Sequence, residues 1–365
     1  MNSHVLILAP WNDPHADAVR WALNKNAVKS VVTPSFAVDD NARFSIWSNQ
    51  QGTTLQNSHF YSGDTGFRSA WYRRPASPQP EPSLDADREF ITRQWRFFQK
   101  NVFDLGPLVG NTLWVNNPTS GTIAESKLVQ LEAARAAGLV FPEMVVTNKA
   151  EDARKMIKRY GRVVYKTFFP QSWQSEATGN IYSLGIALLD ADSELPEEPI
   201  AVCPGIFQRY IDKAYDLRIT VIGSKFFPVR IRKANGEAHL DWRQTVLHEE
   251  TLAEPFELSQ TLTDQLRDLM RRLDIVFGCV DIVVDREGQA YFLEVNQAGQ
   301  FLFMEEKTGS SPLLRAITAM LSTGRCDYSL DDCVPLSFLE YQQSDDYQKV
   351  MDSLKEMPLC VSMEP

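Results

Sequence analysis

The chain has 365 residues, 44% hydrophobic and 23% charged, an ordinary globular composition with room for two or three domains and a substantial core. Its net charge of -10 argues against a nucleic-acid binder, which needs clustered Lys and Arg for phosphate contacts. Five cysteines without a CxxC pair, scattered histidines without an HExxH, an N-terminus lacking the basic flank of a signal peptide and no apolar run near the ~20 residues of a membrane span predict a reduced, cytoplasmic protein with no zinc site.

Val5 to Ala9 is a short apolar run of the buried-strand kind, broken by Pro10 and Asn12-Asp13-Pro14. Asp13 as cap, with Pro14 at the first helical position, predicts a helix from about His15 to Leu23. Val31-Val32 and Phe67 to Tyr72 read as further strands, and strand–helix–strand alternation predicts a parallel sheet with crossover helices. Prolines at 75, 78, 80 and 82 predict a loop or stiff linker over 76–82. A long helix follows from about Asp85 to Asp104, then a strand from Leu113 to Asn116, and Asn117-Pro118 closes a first unit, 1–118.

A second unit covers about 119–200. A helix from Glu125 to Ala137 stops at Gly138, Val145-Val146 is extended, and Thr147 is the expected cap of a helix from Ala150 to Tyr160. Arg162 to Phe169 is strand-like, Pro170 to Ser183 a polar mobile loop, and Asp190 to Pro199 an acidic surface connection. A third unit covers about 201–324, with strands at Phe207–Ile211, Asp216–Ile222 and Lys225–Ile231, the last two joined by the hairpin signal Gly223-Ser224. An amphipathic helix at Leu262–Leu273 precedes strands at Phe277–Val284 and Ala290–Val295 around the turn Asp285-Arg286-Glu287-Gly288, and Pro312 to Leu321 is a closing helix. Residues 325–365 form an extension whose role the sequence leaves obscure. The fold class is α/β (α+β).

The hairpin at 277–295 carries the chemistry. A four-residue turn at 285–288 sets Val284 opposite Gln289 and Asp281 opposite Phe292, with Glu294 the diagonal neighbour of Asp281, roughly 7–8 Å away on the same face. Asn296 follows by two positions and points the same way. Two carboxylates without a cation repel and raise each other's pKa, whereas magnesium takes one or two carboxylates plus substrate phosphates. Taken alone, the cluster reads equally well as a solvated strand face. Its flanks, from Phe277 to Val295, are mostly apolar, and unpaired acids in such a segment would cost several kcal/mol. Lys127 sits in the first turn of the Glu125 helix, where anions are favoured, and Lys166 lies inside an apolar strand and needs a negative partner. Alone, each also reads as an ordinary helix lysine or a strand lysine with its ammonium in water.

In order and spacing, a helix lysine, a strand lysine, an extended hinge, Asp216-Leu217-Arg218 and a closing Asp281…Glu294-Val295-Asn296 resemble the ATP-grasp superfamily. More narrowly, Trp71-Tyr72-Arg73-Arg74-Pro75, Phe207-Gln208, the run from Asp216 to Gly223, Asp241-Trp242-Arg243 and the run from Phe292 to Gln300 are similar to the microviridin-type graspetide ligases, ATP-grasp maturases of ribosomal peptides. The resemblance runs to about residue 324. It implies three units, with ATP held between the central and C-terminal ones. Lys127 and Lys166 are implied as phosphate ligands. The backbone of Gln208, Arg209, Tyr210 and Ile211 would meet adenine, and Asp281, Glu294 and Asn296 would hold Mg2+. Asp216, Arg218 and Arg243 would lie near the reacting peptide, with the loop 170–183 closing over the phosphates. Arg209 and Asp212 depart from the family pattern, and the tail after 325 exceeds its usual end.

The implied reaction phosphorylates an Asp or Glu side chain of a precursor peptide from ATP. A Ser or Thr hydroxyl or a Lys amine then displaces phosphate. Magnesium, lysine and arginine act by positioning and charge stabilisation. The implied partner is a ribosomal precursor peptide, leader and acidic core, with no nucleic acid and no membrane; a homodimer is left open. Residues 209–243 hold eight basic groups against four acidic ones, so a positive field is expected to focus on one cleft. Arg73-Arg74 is read as structural, pairing with helix acids. The alternatives are an ATP-grasp ligase adding free amino acids to a peptide or protein and, in another class, a catalytically silent peptide-binding module. A dinucleotide oxidoreductase lacks the expected GxGxxG after the first strand.

Overall fold

The computed structural model describes residues 4–11, 13–33, 45–56, 67–75, 84–106, 111–168, 172–174, 181–183, 185–238, 240–245 and 250–356. The proline linker expected over 76–82 lies outside them. β1 (His4–Leu8) runs into α1 (Pro14–Lys25), whose N-cap Asp13 accepts from the His15 and Ala16 amides with Pro14 in the first turn, as the sequence requires. β2 (Lys29–Thr33) returns parallel to β1, and an exposed hairpin follows, β3 (Ser45–Asn49) with β4 (Gly52–Gln56). β5 (Phe67–Tyr72), α2 (Arg88–Leu105) and β6 (Leu113–Val115) complete a parallel sheet of order β2-β1-β5-β6.

The Asn117 side chain caps a seven-residue helix, α3 (Pro118–Ala124), with Pro118 in the first turn. The helix expected from Glu125 therefore begins later, as α4 (Lys127–Ala136), which leaves Lys127 at its first residue. β7 (Met144–Thr147) leads to α5 (Ala150–Tyr160). Thr147 does not cap this helix: still in the strand, its hydroxyl accepts from the Lys149 amide and closes a turn ahead of it. β8 (Val163–Lys166) follows. Within the expected polar loop, β9 (Ser172–Gln174) pairs antiparallel with β10 (Ile181–Ser183); the rest of that segment lies outside the described residues. β11 (Ala187–Leu189), α6 (Glu197–Val202) and β12 (Gly205–Arg209) complete an antiparallel sheet of order β11-β8-β12-β7.

The third sheet is antiparallel, β15-β14-β13-β16-β17, built from β13 (Lys213–Ile222), β14 (Lys225–Lys233), β15 (Thr251–Pro255), β16 (Phe277–Asp285) and β17 (Ala290–Asn296), with α7 (Gln260–Arg272) before β16. The β13–β14 turn requires its glycine: Gly223 has φ +58°, and a Cβ there would lie 2.3 Å from the Cys326 carbonyl oxygen. One face of this sheet, with Leu217, Ile219, Val221, Val280, Ile282 and Val295, packs on Ala134 of α4 and Leu266, Leu269 and Met270 of α7. On the other face, Ile222, Val229, Ile231, Phe277 and Cys279 share a core with α1 and two further helices, α8 (Leu302–Thr308) and α9 (Leu313–Thr323). No described helix is long and apolar enough to cross a membrane.

The C-terminal extension is part of that core. Tyr328, Cys333, Leu336, Phe338 and Tyr341 are buried in it, around α10 (Phe338–Gln342), and Tyr341 lies 5.6 Å from Trp21 of α1. α11 (Asp345–Glu356) follows. Buried Glu305 ties these parts together, its two carboxylate oxygens accepting at 2.7 Å from the Leu314 amide at the start of α9 and the Phe338 amide at the start of α10. Glu305→Ala strands both amides in an apolar site, and equilibrium denaturation should show a loss on the order of 2–4 kcal/mol.

Candidate active site

The hairpin that carries the acids differs in register from the sequence expectation. The turn holds five residues: the Asp285 amide donates to the Gln289 carbonyl, and Gly288 sits at φ +88°, the positive-φ residue of a turn that ends in a bulge. Val284 therefore pairs with Ala290, not Gln289, and Ile282 pairs with Phe292. Leu293 then forms a second irregularity, so that Asp281 pairs directly with Glu294, and Cys279 with Asn296. Asp281 is not opposite Phe292. The carboxylates stand as direct cross-strand neighbours, with Cβ atoms about 4.5–5.5 Å apart, closer than the diagonal expected.

The same register places Arg218 of β13 opposite Asp281 on its other side, so Arg218, Asp281 and Glu294 form one row across three strands. Arg218 is 5% exposed; its Nη1 donates to both Asp281 oxygens at 2.9 and 3.0 Å, and its Nη2 to the Gln300 carbonyl at 2.9 Å. Burial pushes the Asp281 carboxyl up, with Arg218 opposing that shift. Glu294 meets Lys127 of α4 on one oxygen, and on the other Arg243, at 3.1 Å. Burial would raise its pKa, but Lys127, Arg243 and Lys166 together hold it down to about 2. Asn296 is exposed and accepts from the Ala298 amide at 3.1 Å. Two carboxylates and one amide oxygen on one strand-pair face match the hard-oxygen preference of magnesium. Among the described residues no group of three or more His, Cys, Asp or Glu side chains is gathered as for a metal, so the set stays at those three.

Lys166 of β8 donates to the Gln208 side-chain oxygen of β12 at 2.7 Å. Burial lowers it to about 8, with Glu294 opposing and Lys127 and Arg243 assisting that shift. Gln208 is 2% exposed, and its Nε2 has no hydrogen-bond partner. A cleft opens between the four-stranded and five-stranded antiparallel sheets. Lys166, Gln208, Asp216, Arg243, Asp281 and Glu294 line it with the hinge residues Arg209, Tyr210 and Ile211, and Val164, Ile186 and Leu293 are among its apolar walls. The Arg209 and Tyr210 amides donate to the carbonyls of Glu143 and Arg162. Asp216 is held by buried Lys213 at 2.7 Å; burial nevertheless raises it to about 6, against that partner.

The structure thus gathers Lys166, Asp216, Arg243, Asp281, Glu294 and the hinge on one cleft, with Lys127 at its edge through Glu294 and Arg218 buried behind Asp281. The basic groups of 209–243 do not all gather at the cleft. Arg230 and Arg232 share Glu254, Lys233 pairs with Glu237, and Lys225 lies over the Tyr328 ring. The cations lining the cleft face Asp216, Asp241, Asp281 and Glu294. Arg73 is structural, as expected, but has more partners: it bonds Asp13, the cap of α1, and donates to the carbonyls of Ala298 and Gly299 just past Asn296. Asn116, read from sequence only as the end of a strand, donates to the carbonyls of Phe277 and Gln297 and accepts from the Val276 and Phe277 amides. Lys213 is a further buried partner, and a lysine three residues before an Asp-x-Arg in an apolar strand is a visible signal for it.

The chain matches no protein-family model and no curated protein. Among solved structures it is similar to the Microcystis aeruginosa MRC macrocyclase MdnC bound with precursor peptide MdnA, at 21% identity and TM-score 0.72 over 87% of this chain and 98% of that one. It is also similar to a Chryseobacterium gregarium RiPP-associated ATP-grasp ligase in complex with ADP and a leader and core peptide, at 23% identity and TM-score 0.76 over 88% and 96%. A third is the ATP-grasp ligase PsnB complexed with a phosphomimetic variant of its minimal precursor, Mg and ADP, at 19% identity and TM-score 0.68 over 89% and 99%. These likenesses establish the fold: the chain has the ATP-grasp fold.

The row of charges makes a stability prediction independent of any ligand. Arg218→Leu leaves Asp281 buried without its partner, and urea unfolding should show a loss of about 3–5 kcal/mol. Adding Asp281→Leu to that variant should recover most of it, because the double change removes both buried charges.

Proposed function

We propose that the chain is an ATP- and magnesium-dependent ligase that activates side-chain carboxylates of a ribosomal precursor peptide and joins them to Ser or Thr hydroxyls or Lys amines. The observation that carries this reading is the meeting of Lys127, Lys166 and Arg243 around Glu294, with Asp281 beside it, on one cleft between two antiparallel sheets. A peptide-binding module has no use for such a set. The fold supports it too, since neighbours that share it are described with ADP, Mg and precursor peptides.

Asp281, Glu294 and Asn296 would hold Mg2+, which supplies charge neutralisation for the phosphates. Lys166 on the cleft wall and Lys127 at its edge would bind those phosphates. The apolar walls and the hinge at Gln208–Ile211 take the base. The Arg209 and Tyr210 amides are already engaged inward, so the buried Gln208 carboxamide and the rest of that backbone provide its polar edge. A peptide carboxylate attacks the γ-phosphorus, and ADP leaves. The nucleophile then attacks the acylphosphate carbon, and phosphate leaves as the new ester or amide forms. Arg243, half-exposed at the mouth, steadies the incoming carboxylate, and Asp216 faces the same space. Arg218 opposes the burial that disfavours the Asp281 carboxylate and keeps that group aimed.

The test incubates the protein with an acidic, Ser/Thr-rich precursor peptide encoded beside it, ATP and Mg2+. Mass spectrometry should show loss of one water per ring, and Glu294→Gln should lower turnover at least ~100-fold without unfolding the chain. An unchanged peptide mass, or a gain of one amino acid, would rule the macrocyclase reading out. Nucleotide binding should also depend on pH through Lys166. Its pKa, lowered to about 8 by burial, lies below that of a lysine in water, so the empty site is mostly unprotonated there above that pH. Phosphates favour the charged form, and affinity should fall up to ~10-fold per pH unit above 8. Lys166→Met should bind more weakly with a flat profile; a wild-type profile that is flat from pH 7 to 10 by calorimetry would refute this role.

A further inference from the structure

Gln130 lies one turn past Lys127 on α4 and is 3% exposed. Its Oε1 accepts from the Val295 amide at 2.9 Å, and its Nε2 donates to the Val295 carbonyl at 2.9 Å and the Ala124 carbonyl at 2.7 Å. Val295 stands between Glu294 and Asn296, and β17 is an edge strand. The N–H and C=O of Val295 therefore point off the sheet, where a further strand would meet them. The carboxamide of Gln130 supplies both bonds of that missing strand. Any polar cover would satisfy the edge. This one is carried by the helix that carries Lys127, and the Lys127–Glu294 pair forms on the neighbouring residue.

We propose that Gln130 is a positioning residue: it locks α4 to β17 so that the Lys127 ammonium and the Glu294 and Asn296 oxygens converge on one metal–phosphate group. The lock acts on the backbone of the residue between the two oxygen donors. A shift of α4 along or away from the strand would separate Lys127 from Glu294 while leaving the sheet and its core intact. The inference rests on the ligase reading.

The experiment measures ADP binding by calorimetry with and without Mg2+, on the full chain and without peptide. The wild type should bind ADP more tightly with Mg2+. Gln130→Met, similar in volume but without either bond, should lose ~10–100-fold in the Mg2+-dependent part of that affinity. Leu269→Ala is the control: it weakens the core on the face of the same sheet opposite the cleft, removes neither Gln130 bond, and should keep the Mg2+ effect despite a lower melting temperature. If the methionine variant does not fold, Gln130→Asn, one methylene too short to reach both Val295 groups, takes its place. Equal Mg2+ effects in the Gln130 and Leu269 variants overturn the proposal, as does failure of both Gln130 variants to fold where Leu269→Ala folds. A wild type that binds no ADP removes the ligase reading itself, and the positioning role with it.

Discussion

Two carboxylates on adjacent strands, directly opposite one another, are the constraint around which this molecule is arranged. Asp281 and Glu294 cannot both be ionised side by side without positive charge close to each. The sheet supplies it on one side, where Arg218 continues the row and its Nη1 donates to both Asp281 oxygens. On the other side the sheet ends, and the charge must come from elsewhere: Lys127 from α4 and Arg243 from the turn after Asp241. Glu294 is consequently where a helix, a turn and a sheet edge are forced to meet. The cleft is the space that this meeting leaves against the neighbouring sheet.

One face of the third sheet does two jobs along its length. Toward Ile222, Phe277 and Cys279 it is core, covered by α8 and α9. Toward Asp216, Asp281 and Glu294 it is the floor of the cleft. The boundary is held by the first sheet, whose strand ends deliver Arg73 and Asn116. Arg73 grips the carbonyls just past Asn296, and Asn116 bonds both the start of β16 and the residue after Asn296. Neither side chain touches the cleft. Both fix where the oxygen-bearing strand stops.

Elements governed by local rules were legible in the sequence. Asp13-Pro14 starts α1 where capping chemistry requires, and Gly223-Ser224 joins β13 to β14. Asp281, Glu294 and Lys166 also stood out, because charged groups in apolar strands call for partners, whereas Lys127 stood out as a helix-start lysine and the hinge came only with the family resemblance. What was not legible depends on non-local geometry. The pairing of Asp281 with Glu294 follows from a five-residue turn plus the irregularity at Leu293, and no period-2 pattern announces either. Asn116 and Gln130 look like ordinary polar residues, and Arg73 like a partner for helix acids alone, until their partners, more than 150 positions away for the contacts with the closing hairpin, are in place. The tail after residue 325 was opaque for a related reason: Tyr328, Phe338 and Tyr341 are too sparse to show a periodicity, yet each fills a gap left by α1, α8 and α9.

Exposure divides the ion pairs of the cleft into fixed and movable sets. Arg218 and Asp281 are 6% and 8% exposed, so opening their pair would strand a buried charge, and it stays closed whatever enters the cleft. Lys127 and Glu294 are 25% and 24% exposed, and Arg243 is 47% exposed. Pairs that reach solvent are worth little more than about 1 kcal/mol each, so their cations can be redirected at small cost. On the proposed reading this asymmetry is what nucleotide binding needs. Bound phosphates would draw Lys127, and an incoming carboxylate Arg243, off Glu294, whose oxygens could then hold magnesium, while Arg218 keeps Asp281 aimed. Each positive charge that leaves Glu294 is matched by one that arrives, so the site takes up its ligands without a buried carboxylate standing uncompensated.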